Sequence, residues 1–277
     1  MTDFDLIAAY EADMNFRNLL PGTIAVRRRY LRKFAREIGF ANASEQNIIV
    51  WLGSRDISAK TRSMWISTLS SFYKWALKGD EGKPWFPKTV DGRDFNPADD
   101  VAKPRLHPRH PRPMPDEELQ RAVKLADPQM KCWLLLEALA GCRCQEVSGI
   151  AREDVRDVTG MLHIIHGKGD KERWVPLHAD ILAALQELPM RSEGPLWDET
   201  PASVSRKINT YLHSIGIKGT AHTLRHWFAT NAYRASKDLR LTQELLGHSS
   251  PATTAIYAAA DQSQAAGIVG GLSVGGD

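Results

Sequence analysis

Cysteine, long apolar runs and net charge are all scarce in this sequence, and each scarcity excludes something. The three cysteines, Cys132, Cys142 and Cys144, cannot build a disulfide framework. Cys142 and Cys144 are separated by a single residue, which is not a zinc-ligand spacing, and no Cys/His pair completes a site, so no metal is expected. Buried reduced thiols are the expectation. No apolar run approaches the roughly 20 residues that a membrane helix requires, so no membrane partner is expected. Met1 to Leu20 carries Asp3, Asp5, Glu11 and Asp13, where a signal peptide wants a basic start and an apolar stretch. A cytoplasmic protein is the expectation. The net charge of +3 and the pI of about 8.7 do not by themselves indicate nucleic acid.

The distribution of charge says more. Arg17, Arg27, Arg28, Arg29, Arg32, Lys33 and Arg36 fall within one stretch that holds no acidic residue. On a helix such a stripe can bind phosphates, or it can be an ordinary solvated face. The 277 residues are long for one compact core and comfortable for two domains. With 43% hydrophobic and 25% charged residues, the composition is that of an ordinary globular protein.

Up to about Gly79 the pattern is helical. Thr23 is expected to cap a helix with Ile24, Tyr30, Leu31, Phe34 and Ile38 on its apolar side, closed by Gly39. Ser44 caps a helix through Ile48, Ile49 and Leu52, and Ser58 opens a longer one with Trp65, Leu69, Phe72 and Trp75 at helical spacing. These aromatics read as core. Residues 81–114 contain seven prolines and read as an extended, basic connection with Lys103, Arg105, Arg109 and Arg112. From 115 onward helices at Asp116 and at Met130 to Ala140 precede a change of period. Val155 and Val158, then Leu162 to Ile165, then Trp174 and Val175, read as three short strands. Helices resume at Ala179 to Leu188, Ser203 to Ile215, His222 to Ala235 and Leu239 to Leu246. The fold class is therefore mainly α with a small antiparallel β-sheet (α+β).

Five segments carry residues suited to chemistry. Gly141-Cys142-Arg143-Cys144-Gln145-Glu146 places an arginine just after a helix-ending glycine, with Glu146 one helical turn on. Gly167-Lys168-Gly169-Asp170-Lys171-Glu172-Arg173 reads as a charged hairpin, and it lacks the spacing of a Walker phosphate loop. In His222-Thr223-Leu224-Arg225-His226, His222 and Arg225 share a helical face and can meet one small anion together. Leu246-Gly247-His248 ends a helix at glycine. Ser250 and Pro251 start a helix that reaches Tyr257 two turns later.

Taken singly, each segment has an ordinary structural reading. In this order and in one domain, Arg143, Lys168, His222-x-x-Arg225, Gly247-His248 and Tyr257, nine residues after His248, resemble the tyrosine recombinases of the phage-integrase family. The resemblance covers the second domain and, more loosely, the helical first domain. It implies a helical core-type (SAM-like) DNA-binding domain over residues 1–80, a linker over 81–114 and a catalytic domain over 115–277, together forming a C-shaped DNA clamp.

The resemblance also implies roles. Tyr257 would attack a backbone phosphate. A tyrosine has an ordinary pKa of about 10, so only about one in a thousand is ionised at neutral pH unless positive charge or a base assists. His222 would be that base, Arg143 and Arg225 would hold the phosphoryl oxygens, His248 would hydrogen-bond the phosphate, and Lys168 would protonate the leaving 5′ oxygen. In phosphoryl transfer a well-placed arginine can contribute about 10³- to 10⁵-fold. Glu146 would orient its neighbours. Arg27, Arg28, Arg29, Arg32, Lys33, Lys103, Arg105, Arg109, Lys171 and Arg173 are the expected DNA contacts. The 3′-phosphotyrosyl product would conserve the bond energy, so no cofactor, metal or ATP is expected. The implied partners are double-stranded DNA attachment or core sites and three further protomers in a tetrameric synapse passing through a Holliday junction. Accessory DNA-bending or excision factors are compatible with this, and the Gly-rich tail from Gly267 could dock on a neighbouring protomer. The chain is expected to begin almost directly with the core-binding helices, with no room for an arm-site domain, which suits a simple integrase and an Xer-type resolvase alike. The short chain and the divergent Ala-Gly-Cys-Arg-Cys box favour a phage or mobile-element integrase over an Xer-like resolvase. A topoisomerase of type IB or a DNA-binding protein without catalysis are the alternatives of other classes, and the complete catalytic set argues against the latter.

Overall fold

The computed structural model describes residues 2–79, 83–85, 89–90, 93–106, 112–165, 172–189, 193–248 and 251–260. The chain divides into two compact units, Met1–Pro108 and Arg109–Asp277.

The first unit is a helical bundle. α1 (Asp3–Phe16), opened by a Thr2/Asp5 capping box, precedes the helices expected from sequence and buries Leu6, Ile7, Tyr10 and Met14. α2 (Pro21–Glu37) begins two residues before Thr23, with Pro21 in its first turn, because the fixed φ of proline already suits a helix start. α3 (Glu45–Gly53) and α4 (Ala59–Lys78) take Ser44 and Ser58 as caps. The aromatics interlock: Phe40 lies on Phe72 with ring centroids 4.2 Å apart, and Trp51 and Tyr30 close on Trp65 at 4.7 and 4.6 Å. Part of the proline-rich stretch folds onto this core instead of running free. Strands β1 (Thr89–Val90) and β2 (Arg93–Asp94) pair, Asn96 donates to the Ser70 carbonyl at 3.1 Å, and Ala98 and Val101 are buried. Proline forbids helix here but does not forbid burial.

The second unit is built around α6 (Pro128–Leu139), preceded by α5 (Asp116–Leu125). From Cys132 to Ala138 every α6 side chain is buried, as a helix apolar on all sides requires. α7 (Cys144–Gly149) follows, then a short 3₁₀ turn and an antiparallel sheet of β3 (Val155–Arg156), β4 (Met161–Ile164) and β5 (Arg173–Pro176). The register Val155↔Leu162↔Val175 puts these apolar residues on one buried face. Val158 is not part of a strand; it sits in the turn, 97% exposed. α8 (Ala179–Gln186), α9 (Pro201–Ser214), α10 (Ala221–Ser236), α11 (Leu239–Leu246) and α12 (Pro251–Ala260) complete the unit, with α8, α9 and α10 packed on α6. Among the described residues no helix is long and apolar enough to cross a membrane.

Candidate active site

The second unit gathers three arginines on one buried carboxylate. Gly141, at φ +61°, turns the chain between α6 and α7, and a Cβ there would lie 2.4 Å from the Phe228 ring. The turn makes Arg143 the N-cap of α7. Its N–H and its Nη1 both donate to Glu146, at 2.8 and 2.6 Å. From β5, Arg173 donates end-on to both Glu146 oxygens at 2.9 Å. From α10, Arg225 donates to the carbonyls of Gly141 and Leu246 and stands 3.6 Å from Glu146. Burial would raise the pKa of Glu146, but the Arg173 hydrogen bonds and the surrounding guanidinium charges outweigh it and hold the carboxylate below its usual range. Desolvation lowers the pKa of Arg225 to about 10, so it stays protonated at neutral pH. Three guanidinium charges against one carboxylate leave a net +2, ready for a phosphodiester. The end of α11 shares in tolerating that charge, because the carbonyls of Leu245 and Leu246 point at Arg173 and Arg225.

Arg143 is the most open of the three, its side chain 26% exposed against 8% for Arg173 and 4% for Arg225. It opens into a cavity of about 440 Å³ also lined by Glu137, Cys144, Asn209, His222 and Arg225. His222 stands exposed on the first turn of α10, its ring 4.2 Å from that of His226. Burial, with His222 and Arg225 nearby, lowers the pKa of His226 to about 4. His248 follows Gly247 at the end of α11 and lines a neighbouring cavity of about 360 Å³ with Arg173 and Arg240. Its Nδ1 shares a 2.8 Å hydrogen bond with Thr254 on α12. Desolvation, reinforced by Arg225, Arg143 and Arg173, lowers its pKa to about 3, so it is neutral at working pH. Ile256 packs with Leu246 and Ala229, so α12 is anchored one turn before and one residue before Tyr257.

The structure thus brings Arg143, Glu146, His222, Arg225 and His248 into one region of the second unit. Lys168, Lys171 and Arg109 lie outside the described residues, as does the side chain of Tyr257. Arg173, expected as a DNA contact, is instead spent inside the protein on Glu146 and on the Leu245 carbonyl. In the first unit the basic stripe splits. Arg27 turns inward to the Tyr10 hydroxyl at 3.2 Å, and Arg28 pairs with Glu11 at 2.7 Å, because α1 packs its acidic residue against α2. Arg29, Arg32, Lys33 and Arg36 remain exposed and line a groove on α2. Lys103 and Arg105 are also exposed. Two residues were missed by sequence reasoning. Glu137 is buried in α6, its signal being a lone charge in an apolar run, and Thr254, the partner of His248, carries no signal at all.

The profile of the phage integrase family matches residues 113–264. The chain is 31% identical to the tyrosine recombinase XerC of Pelobacter propionicus over 271 residues, 87% of this chain and 85% of that protein. It is 26% identical to the tyrosine recombinase XerA of Pyrococcus horikoshii over 91% of this chain and 88% of that one. The fold is similar to a lambda integrase dimer bound to a core site, with a TM-score of 0.72 at 17% identity, covering 93% of this chain and 95% of that one. It is also similar to the XerH recombinase bound to its difH substrate, with a TM-score of 0.66 at 21% identity, covering 90% and 78%.

Proposed function

Because the chain belongs to the phage integrase family and is a site-specific recombinase that cleaves and rejoins DNA, we propose that it does so through Tyr257, integrating or excising phage or mobile-element DNA. The observation that carries this reading is the +2 arginine cluster on Glu146, opening through Arg143 beside His222, with His248 tied to the helix that bears Tyr257.

The scissile phosphate sits against Arg143 and Arg225. Their charge favours the phenolate of Tyr257 and stabilises the negative charge that builds on the phosphoryl oxygens. His222 takes the phenol proton. The Tyr257 oxygen forms a bond to phosphorus as the bond to the 5′ oxygen breaks, and Lys168 protonates that leaving group. Neutral His248 donates a hydrogen bond to the phosphate. The 3′-phosphotyrosyl link keeps the energy of the broken bond, so a 5′ hydroxyl from a partner strand reverses the step. The partner is double-stranded DNA, contacted by Arg29, Arg32, Lys33, Lys103 and Arg105 among others. Four protomers pair two sites through a Holliday junction, in keeping with the lambda integrase tetramer whose fold this chain shares at a TM-score of 0.69.

A Tyr257→Phe variant tested on a nicked suicide duplex is expected to bind DNA as the wild type does and to form no covalent adduct. Persistence of the adduct overturns the assignment. The 31% identity to XerC supports a second reading, a resolvase of the Xer type. Recombination of repeats flanking the gene supports the integrase, and resolution of plasmid dimers without such repeats supports the resolvase.

A further inference from the structure

Arg173 is one of the most thoroughly committed side chains of the second unit. Its Nη1 and Nη2 meet the two Glu146 oxygens at 2.9 Å each, and its Nε donates to the Leu245 carbonyl at 2.8 Å. Both recognition edges of the guanidinium fork are therefore occupied, the end edge by a carboxylate and the Nε side by a backbone carbonyl. Arg173 stands opposite Ile164, the end of the β4–β5 register. Gly247 makes room for it: at φ +60°, a Cβ on Gly247 would come within 3.0 Å of Nη1 and 3.2 Å of Cδ.

These contacts join three segments that are far apart in sequence. Glu146 belongs to the turn that presents Arg143, β5 follows the segment that contains Lys168, and Leu245 lies three residues before His248. We propose that Arg173 is a positioning residue of the recombinase reaction: it clamps α7, β5 and the end of α11 together, so that Arg143 and His248 address the same phosphate. This rests on the reading of the site given above. It replaces the role of direct DNA contact with one exerted through Glu146 and the α11 carboxyl end.

The clamp has a chemical consequence besides its mechanical one. Glu146 is fully buried, and its hydrogen bonds from Arg173 are the largest influence keeping it ionised against that burial. Without Arg173 the carboxyl takes up a proton at higher pH, and a protonated Glu146 no longer anchors Arg143.

The test compares wild type, Arg173→Gln and Arg173→Lys on the nicked suicide duplex, with DNA affinity measured separately over a range of salt. Arg173→Gln is expected to lower the single-turnover rate of adduct formation at saturating DNA on the order of 100-fold, as displaced catalytic groups do. DNA affinity and its salt dependence stay those of the wild type. The Gln variant is expected to regain rate as pH rises, because Glu146 ionises again, while Arg173→Lys, which keeps the charge, recovers part of the rate and a wild-type pH profile. Should Arg173→Gln not fold, the Lys variant carries the comparison by its lowered saturating rate at unchanged affinity. A loss of DNA affinity with a shallower salt slope and an unchanged saturating rate would overturn the proposal in favour of a phosphate contact. A lowered rate with the wild-type pH profile in Arg173→Gln overturns it in favour of a merely structural residue. Failure of the wild type itself to form an adduct strikes the Tyr257 assignment, whereas the affinity and salt measurements judge Arg173 without any chemistry.

Discussion

The Nδ1 of His248 and the hydroxyl of Thr254 are 2.8 Å apart, and this bond links the end of α11 to α12 one helical turn before Tyr257. Thr254 is fully buried, so its hydroxyl needs a partner, and a histidine held neutral can supply one. The pair fixes the imidazole and the nucleophile's helix in one geometry.

From this follows a first prediction. Burial and the arginine cluster lower the pKa of His248 from 6.5 to about 3. Its NMR resonances in the free protein are therefore expected to stay those of a neutral ring between about pH 5 and 8, where an ordinary histidine titrates. The linkage sign is that of a depressed pKa: the unfolded chain takes up this proton near 6.5 and the folded one does not until about 3, so stability is lost as pH falls through that interval. Thr254→Val keeps the shape and removes the hydroxyl. It is expected to slow adduct formation about tenfold while leaving DNA affinity unchanged. A normal histidine titration, or a Thr254→Val rate equal to wild type, counts against the link.

The basic stripe yields a second prediction. Arg29, Arg32 and Lys33 are exposed on α2, whereas Arg28 is paired with Glu11 and Arg27 is turned toward Tyr10 and Ser71. Each phosphate contact contributes about 0.9 to the slope of log affinity against log salt. Arg29→Ala, Arg32→Ala and Lys33→Ala are each expected to flatten that slope by about this amount. Arg28→Ala is expected to change it less, and Arg27→Ala to show itself in the urea midpoint instead. Equal slopes in all five variants would make the stripe a solvated face.

How much of this was legible beforehand depended on whether the signal was local. The helix caps at Ser44 and Ser58 and the order of the Arg143, His222, Arg225 and His248 segments are written along the chain, and so is the alternation that builds β3, β4 and β5. The partners of a charge are not. Arg173 reads as a turn arginine because Glu146 and Leu245, which consume it, lie 27 and 72 residues away. Arg28 reads as free because Glu11 arrives from α1, 17 residues earlier. Val158 reads as strand because its β-branched side chain suits one, yet the pairing Arg156↔Met161 closes the turn around it and leaves it in solvent. Propensity is a local quantity, and burial is a property of the assembled unit.

Glu137 supplies the last prediction. It lies in α6, 1% exposed, with Cys144 donating to its Oε1 at 3.0 Å and no hydrogen-bond partner for Oε2 among the described residues. Desolvation pushes its pKa up from 4.5 to about 8, although the Cys144 bond and the Arg225 charge work the other way. At neutral pH the folded protein therefore keeps a proton that the unfolded chain has released. For a raised pKa the stabilising contribution is complete below 4.5 and drains away as pH rises toward about 8, beyond which it is flat. Glu137→Gln preserves the volume and cannot ionise. The urea midpoint of the wild type is expected to fall relative to that of Glu137→Gln from about pH 5 to about pH 8, the gap then staying constant. Parallel midpoint curves would show that Glu137 is already ionised in the folded protein, which would require the Arg225 charge to outweigh the cost of burial in α6.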